Sequence, residues 1–215
     1  SQTATMDPVR ILSMLGQSVW LYFIRRSFMT SGELQRLITN DGLSGMTSNP
    51  TIFEQAINGS SDYTESLRAL RLEPGLDAKA CYEWLAIEDI RAAADLLRPV
   101  YARTNRRDGY VSFEVSPHLA HDTRGTIDEA KRLWEAVGRD NLMIKVPATS
   151  EGIAAIAPLL AEGINVNVTL IFAQERYEQV AEAYLTGLEQ LAARGGDVSG
   201  VASVASFFVS RIDTA

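Results

Sequence analysis

A single lysine interrupts the apolar run Leu142-Met143-Ile144-Lys145-Val146-Pro147-Ala148-Thr149-Ser150. A strand inside a parallel sheet is covered on both faces, so its sequence is almost continuously hydrophobic and a lysine is unusual there. One interpretation is structural, because a lysine near a strand end can extend its ammonium group into solvent. The other is chemical, because a lysine removed from water loses affinity for its proton and becomes a neutral amine that can attack a carbonyl.

Strands and helices are predicted to alternate on both sides of this run. Short apolar runs and longer amphipathic stretches follow one another, with no linker or low-complexity segment between them. This order predicts one α/β domain over residues 1–215 with a parallel sheet. An open doubly wound sheet and a barrel both satisfy it, and the absence of a dinucleotide-binding glycine fingerprint favours the barrel. The predicted strands include 110–115, 142–146, 164–172 and 201–209, and the predicted helices include 84–101, 150–162 and 174–194.

Two helix starts are predicted from capping boxes, in which a hydroxyl residue precedes a glutamate by three positions. These are Thr30-Ser31-Gly32-Glu33 and Thr126-Ile127-Asp128-Glu129. Gly138 is predicted to end the helix that follows the second box.

Charge and composition exclude several classes of protein. The 215 residues carry a formal net charge of −7 and a pI near 4.9, which argues against binding of nucleic acid or of an anionic membrane surface. Cys81 is the only cysteine, and His118 and His121 are the only histidines, so neither an internal disulfide nor a multi-histidine metal site is expected. The first residues lack the pattern of a signal peptide, and no apolar run is long enough for a membrane span. A cytoplasmic protein is therefore predicted.

Polar side chains gather at the predicted carboxyl ends of the strands, where parallel barrels build their active sites. Several have a structural alternative: Asn49 could belong only to a turn, Glu114 could cap a neighbouring helix, and Asn167 and Thr169 could line a partly solvated strand face. Together with Lys145 they supply what imine chemistry on a polyhydroxylated carbonyl needs, namely an attacking amine, groups that move protons, and amides that hold hydroxyls. These residues are Thr47, Ser48, Asn49, Glu114, Asn167, Thr169, Ser206 and Arg211.

Five segments carry a family resemblance. In chain order they are Gly45-Met46-Thr47-Ser48-Asn49-Pro50-Thr51-Ile52-Phe53, Val111-Ser112-Phe113-Glu114-Val115, Met143-Ile144-Lys145-Val146-Pro147-Ala148-Thr149, Asn167-Val168-Thr169-Leu170-Ile171-Phe172 and Ser206-Phe207-Phe208-Val209-Ser210-Arg211. In these segments the sequence resembles the transaldolase family, most of all its longer bacterial type. The resemblance implies a class I aldolase-like TIM (β/α)₈ barrel and chemistry of the pentose phosphate type. In that chemistry a dihydroxyacetone unit moves between sugar phosphates.

The resemblance also implies a role for each polar residue. Lys145 would form the Schiff base, and Glu114 and Thr169 would position the water that carries protons during imine formation. No metal and no organic cofactor is implied, since the lysine imine is itself the electron sink. The implied substrate-binding residues are Asn49, Asn167 and Ser206 for the donor hydroxyls, with Thr47 beside them, Phe208 for the wall of the site, and Arg211 for the acceptor phosphate.

Tyr22 departs from the family pattern. Family members carry an aspartate at the end of the first strand, as general acid and base for carbon–carbon cleavage, and Tyr22 occupies that position here. A phenol has a reference pKa near 10 against about 4 for aspartate, so it is a poor base at neutral pH. Tyr22 could still donate a hydrogen bond or act as a weak acid toward a bound water. Alternatively, it is a packing aromatic without a catalytic role.

Length is the second departure, because the chain stops at Ala215, shortly after the predicted sixth strand. Compared with the family, the barrel would be truncated at the C-terminus and would contain about six strand–helix units. The two open sheet edges of such a barrel would need cover. We expect a homodimer to protect them, with exchanged strands, a rearranged closure or a second polypeptide as alternatives.

Two functions follow from these observations. The first is a transaldolase-like Schiff-base enzyme that transfers or cleaves a dihydroxyacetone unit of ketose phosphates, and the retained polar residues favour it. The alternative is a shortened, retasked or inactive homologue that binds a different ligand or catalyses a different reaction in a biosynthetic pathway, which Tyr22 and the missing units favour. A third interpretation is a structural partner of a full-length paralogue. Fold membership does not choose among them.

Overall fold

The computed structural model describes residues 14–16, 18–170 and 174–207. It divides into two compact units. The first unit contains Ser1–Val111 with Arg139–Asn141, and the second contains Ser112–Gly138 with Leu142–Ala215.

The first unit begins with two short parallel strands, each followed by helices. Strand β1, Trp20–Tyr22, pairs with β2, Gly45–Thr47, so that Tyr22 lies beside Thr47. The pair is close because Gly45 has no side chain: a Cβ there would overlap the indole of Trp20. The helices of this unit are α1 Arg26–Thr30, α2 Glu33–Asn40, α3 Pro50–Asn58, α4 Thr64–Arg71 and α5 Ala78–Arg103.

Helix α5 and the segment between β2 and α5 form a small apolar core within the first unit. Tyr63 and Leu85 are fully buried there, and Ile57, Leu70 and Cys81 pack with them. The helix starts at Ala78, six residues before the predicted start, because the Asp77 carboxylate accepts a hydrogen bond from the backbone N–H of Ala80 at 2.8 Å. The amphipathic pattern predicted for this helix is confirmed, since one face is buried along most of its length.

The second unit continues the alternation of strands and helices. Strand β3, Tyr110–Glu114, enters it at Ser112, and the order of strands then runs from β3 through β4, Leu142–Pro147, and β5, Val166–Leu170, to β6, Ser203–Phe207. Pairs β4–β5 and β5–β6 are parallel. Its helices are α6 Thr123–Val137, α7 Ser150–Ala161 and α8 Gln174–Ala193.

The two predicted capping boxes are wrong. Helix α6 begins three residues before its predicted box, because the Asp122 carboxylate caps it at the N–H of Gly125, and Thr126 is buried inside the first turn. Helix α2 follows Gly32, whose φ of 85° is left-handed and accessible to glycine, so its N-cap residue has no side chain, and the N–H of Glu33 donates to the Ser31 hydroxyl at 3.4 Å. The predicted end of α6 at Gly138 is confirmed, with a φ of 62° at that residue.

The predicted parallel α/β architecture is confirmed. In the described residues, six strands alternate with helices, and the family that the sequence resembles builds barrels of such units. The single-domain boundary at 1–215 stays a prediction. Within the described part of the chain, no helix combines the length and the apolar character that crossing a bilayer requires.

Candidate active site

Strand β4 places Lys145 inside the second unit. The residue is 4% exposed, and the strand residues from Leu142 to Val146 are all buried, so the side chain does not reach solvent as the structural alternative required. Alternation along the strand directs Lys145 to the opposite side from Ile144 and Val146. The aliphatic core therefore packs on one face, while the lysine amine is on the other.

Glu114 lies beside this lysine because of the strand register. The Val115 N–H donates to the carbonyl oxygen of Lys145 at 3.2 Å, which aligns Glu114, the last residue of β3, with Lys145 on β4. The Lys145 Nζ is 3.8 Å from the Glu114 Oε2, an ion-pair distance that is too long for a direct hydrogen bond. The Glu114 side chain is 21% exposed, so the pair has one buried member and one that reaches the surface.

Burial shifts both groups toward their neutral forms. Desolvation lowers the pKa of Lys145, and the charge of Glu114 offsets only part of that effect. Desolvation likewise raises the pKa of Glu114 against the opposing charge of Lys145. Both pKa shifts are in the direction that favours a neutral amine and a neutral carboxylic acid, the forms that act in carbonyl addition and loss of water.

Asn167 on β5 lies on the other side of Lys145. The two residues are aligned across the β4–β5 pair, and Asn167 is completely buried. Its Nδ2 donates to the Ser112 Oγ on β3 at 2.8 Å, and Ser112 is also completely buried. The sequence prediction missed Ser112. Its position two residues before Glu114, on the same face of the strand, was the signal that could have identified it.

Thr169 and Ser206 come next along the strand ends. Thr169 is aligned with Pro147 on β4 and with Ser206 on β6, at the carboxyl end of each strand. The Thr169 Oγ1 is buried and has no hydrogen-bond partner among the described residues. Of the other predicted substrate-binding residues, Phe208 and Arg211 lie outside the described residues.

The connection from β4 to α7 is short and is held by hydrogen bonds of Thr149. The Thr149 hydroxyl accepts a hydrogen bond from the Gly152 N–H at 3.0 Å and donates to the carbonyl oxygen of Ala120 at 2.5 Å. Residue 152 must be glycine, because a Cβ there would overlap the carbonyl oxygen of Pro147. The end of β4 and the start of α7 therefore approach each other closely at this glycine.

The first unit brings together Tyr22, Thr47 and Asn49 at the ends of β1 and β2. The Asn49 Oδ1 accepts a hydrogen bond from the Ile52 N–H at 2.8 Å, which makes Asn49 the N-cap of α3. The Asn49 Nδ2 donates to the Tyr22 hydroxyl at 2.5 Å. Tyr22 is 43% exposed, so its ring is not a buried packing group and its hydroxyl is held in place by an amide.

A second buried ion pair, which the sequence did not suggest, also lies in the first unit. The Arg26 Nε donates to the Asp89 Oδ1 at 2.9 Å, and the Tyr63 hydroxyl donates to the Asp89 Oδ2 at 2.5 Å. The Arg26 guanidinium also donates to Ser66 at 3.0 Å and to Glu88 at 3.1 Å. The Tyr63 hydroxyl completes the cluster by accepting the backbone N–H of Arg26 at 2.9 Å.

Comparison with known proteins gives a consistent family match. The transaldolase/fructose-6-phosphate aldolase family matches over residues 19–215. A protein named transaldolase 2 from Nostoc punctiforme is 50% identical over 203 residues, covering 94% of this chain and 53% of the relative. Proteins named transaldolase from Acidothermus cellulolyticus and Thiobacillus denitrificans are 51% and 49% identical, covering 97% and 98% of this chain and 56% and 58% of the relatives. The chain thus spans about half the length of the curated relatives that it matches.

Proposed function

We propose that this chain, which belongs to the transaldolase/fructose-6-phosphate aldolase family, forms a Schiff base between Lys145 and a phosphorylated ketose and transfers or cleaves the dihydroxyacetone unit. The observation that supports this proposal is the buried Lys145–Glu114 pair, in which the pKa of the amine is lowered and that of the acid is raised. A neutral amine can attack a carbonyl, and a neutral acid can protonate the oxygen that leaves as water.

The proposed reaction starts with addition of the Lys145 nitrogen to the ketose carbonyl carbon. The carbonyl oxygen takes a proton, and Glu114 supplies the second proton with which that oxygen departs as water. The resulting protonated imine accepts the electron pair of the bond between the next carbon and the hydroxyl-bearing carbon beyond it, and breaking that bond leaves an enamine on Lys145 and releases an aldose phosphate. The released aldose carries the carbonyl formed from its own hydroxyl, whose proton must go to a base.

The family resemblance implies that the residue at the position of Tyr22 takes up this last proton. A phenol is a weaker base than a carboxylate at neutral pH, so cleavage is expected to be slower than imine formation. The Asn49 amide nitrogen donates a hydrogen bond to the Tyr22 hydroxyl oxygen and so holds that oxygen in place. Imine formation and carbon–carbon cleavage should therefore be measured separately.

The other polar residues keep the roles that the resemblance implies. The Thr169 hydroxyl is proposed to position, with Glu114, the water that relays protons. Its buried and unpartnered oxygen among the described residues supports this role. The proposed substrate-binding residues are Thr47, Asn49, Asn167 and Ser206 for the donor hydroxyls, Phe208 for the wall of the site and Arg211 for the acceptor phosphate.

Borohydride trapping tests the proposal. The protein is incubated with fructose 6-phosphate and borohydride, which reduces an imine to a stable secondary amine, and is then digested and analysed by mass spectrometry. The chain contains three lysines, so Lys79 and Lys131 serve as internal controls for nonspecific labelling. We expect the adduct on Lys145 and its absence from the other two.

The mass of the adduct separates the two functions. A dihydroxyacetone adduct shows that the carbon–carbon bond was cleaved, and it supports the transaldolase-type reaction. An adduct of the whole ketose phosphate shows imine formation without cleavage and supports the retasked homologue, in which case Tyr22→Asp should convert it to the dihydroxyacetone adduct. No adduct on Lys145 contradicts the proposal.

We also propose that the protein forms a homodimer. Tyr177 and Leu185, about two turns apart on α8, are 53% and 59% exposed, and large apolar groups on one side of a helix favour self-association. Light scattering at micromolar concentration should report twice the monomer mass, and Leu185→Lys should reduce it. A monomer in the unsubstituted protein would contradict this proposal.

The cytoplasm is proposed as the location of the protein. Its one cysteine, Cys81, is a buried free thiol, which a reducing compartment preserves. Fractionation of the native cells with an antibody against the chain tests this proposal, and recovery from an oxidising compartment would contradict it.

A further inference from the structure

We propose that Ser112 is a positioning residue: its hydroxyl holds the Asn167 carboxamide in the orientation that binds the donor beside Lys145. This inference rests on the proposed function, because it assigns Asn167 to donor binding. It begins from one contact inside the second unit, the hydrogen bond from the Asn167 Nδ2 to the Ser112 Oγ at 2.8 Å.

The contact spans the strand that carries the lysine. Ser112 is on β3 and Asn167 is on β5, and β4 with Lys145 lies between them in the strand order. Asn167 is aligned with Lys145 itself, and Glu114 is two residues after Ser112 on the same face of β3. One hydroxyl thus links the two strands whose side chains flank the nucleophile.

Burial makes this contact hard to replace. Ser112 and Asn167 are both completely buried, so bulk water cannot substitute for the hydroxyl if it is removed. A carboxamide has a donor and an acceptor side that differ only in orientation, and a partner for the nitrogen determines which side faces the reacting carbonyl. Without Ser112, the two orientations of Asn167 become closer in free energy, and donor binding weakens.

The polar residues near Ser112 have roles of their own, which differ from the role proposed for its hydroxyl. Glu114 faces Lys145, and Thr169 is two residues beyond Asn167 at the strand end, so both belong to proton transfer in the proposed reaction. Ser112 is two residues inside the strand end and touches the amide rather than the amine. Its expected effect is on donor affinity and not on the reactivity of Lys145.

The test measures borohydride trapping on Lys145 as a function of fructose 6-phosphate concentration. Ser112→Ala should raise the concentration for half-maximal adduct by roughly ten- to a hundredfold, the scale expected when a reacting group is slightly misplaced. The adduct at saturating donor should stay unchanged. In an Asn167→Ala background, Ser112→Ala should add nothing, because it acts through the missing amide.

Thr126→Val is the matched control. Thr126 is also completely buried and donates to the carbonyl oxygen of Leu119 at 3.0 Å in the same unit, so its loss reports the general effect of deleting a buried hydroxyl. It should leave the half-saturating donor concentration unchanged. An equal rise with Thr126→Val, no rise with Ser112→Ala, or additive effects of Ser112→Ala and Asn167→Ala would each overturn the proposal.

A second measurement keeps this inference separate from the proposed function. If the unsubstituted protein gives no adduct, the proposed function fails, and hydrogen exchange of the Asn167 side-chain amide measured by NMR decides the role of Ser112. Slow exchange that becomes fast in Ser112→Ala supports positioning by the hydroxyl. Equal exchange rates in the two proteins overturn it.

Discussion

Two ion pairs, one in each unit and each with one buried member, differ in the distance between their charges. In the first unit, Arg26 binds Asp89 at 2.9 Å and donates to Ser66 and Glu88 as well. In the second unit, Lys145 and Glu114 are 3.8 Å apart, beyond hydrogen-bond distance. The two pairs therefore differ in the distance between cation and carboxylate, which sets how strongly each charge stabilises the other.

The pKa shifts of the two cations follow the same difference, whereas burial raises the pKa of both acids, Asp89 and Glu114. Burial works against the Arg26 cation, but the hydrogen bond and charge of Asp89 outweigh it, so the pKa of Arg26 is raised. Burial lowers the pKa of Lys145, and Glu114 does not compensate for it. The raised pKa of Arg26 favours its charged form, whereas the lowered pKa of Lys145 favours the neutral amine that the proposed reaction needs.

Lys145→Met should separate chemistry from stability most clearly. The trapped adduct should disappear and any turnover should fall by at least about 10³-fold, as when other nucleophiles are removed. Stability should change by less than about 1.5 kcal/mol, because a chain of similar volume replaces a desolvated cation and Glu114 can take up a proton. Urea unfolding measures this, and a loss above about 3 kcal/mol would show that Lys145 is a structural residue.

Arg26→Met should have the opposite effect. It leaves Asp89, which is 2% exposed, without its cation, and such a loss costs about 3–5 kcal/mol of unfolding free energy. The trapped adduct per folded molecule should stay the same. Arg98→Met is the control, since Arg98 is half exposed and lies 3.7 Å from an exposed Asp140, and it should cost less than about 1 kcal/mol. Equal losses in the two variants would contradict the comparison.

Tyr63→Phe removes a single hydroxyl from the cluster of Arg26, Tyr63 and Asp89. That hydroxyl donates to Asp89 and accepts the Arg26 N–H, so its loss should cost about 1–3 kcal/mol in urea unfolding. Tyr82→Phe is matched in chemistry, because the Tyr82 hydroxyl donates to the Asn58 Oδ1 at 2.7 Å in an exposed setting. It should change stability by only about 0.5 kcal/mol, and a larger loss there than in Tyr63→Phe would refute the role of the cluster.

Glu114→Gln should shift the pH dependence of the Lys145 amine, in addition to removing the proton donor of the proposed reaction. Glu114 raises the pKa of Lys145 against the effect of burial, so its removal lowers that pKa further. Reductive labelling of Lys145 by a small aldehyde should therefore reach half its maximal rate at a lower pH in the variant. A shift to higher pH would mean that Glu114 does not act on the amine through its charge.

The free energy of unfolding should also depend on pH through the protonation of Lys145. In the unfolded chain Lys145 binds its proton with the ordinary lysine pKa of 10.5, which lies above the lowered pKa in the folded protein. Between these two values the unfolded state binds more protons, so the contribution of this residue to stability rises as the pH rises through the window.

Strands were predictable because their signal is local. The runs predicted at 110–115 and 142–146 agree with Tyr110–Glu114 and Leu142–Pro147 to within one residue, since continuous apolar residues mark a buried parallel strand. Helix starts were less predictable, because several polar residues before a helix can cap it. At the start of α6 the Asp122 carboxylate accepts the N–H of Gly125 and is the cap, and the Thr126 hydroxyl donates to the carbonyl oxygen of Leu119 instead.

Long-range polar contacts were not predictable from the pattern. Lys145 and Glu114 were expected together because both stand near strand ends, and their proximity is confirmed. The partners Arg26 and Asp89 are 63 positions apart, and nothing in either local sequence points to the other. Ser112 was missed for a different reason, since a serine inside an apolar strand matches an ordinary packing position.

The turn after the lysine strand has a consequence for engineering. Because a Cβ at position 152 would overlap the carbonyl oxygen of Pro147, the turn tolerates no residue larger than glycine there. A randomised library aimed at new donor or acceptor sugars should therefore leave this position unchanged. A bulkier residue at position 152 would displace the end of the strand that carries Lys145, so this glycine is a fixed point for any redesign of the second unit.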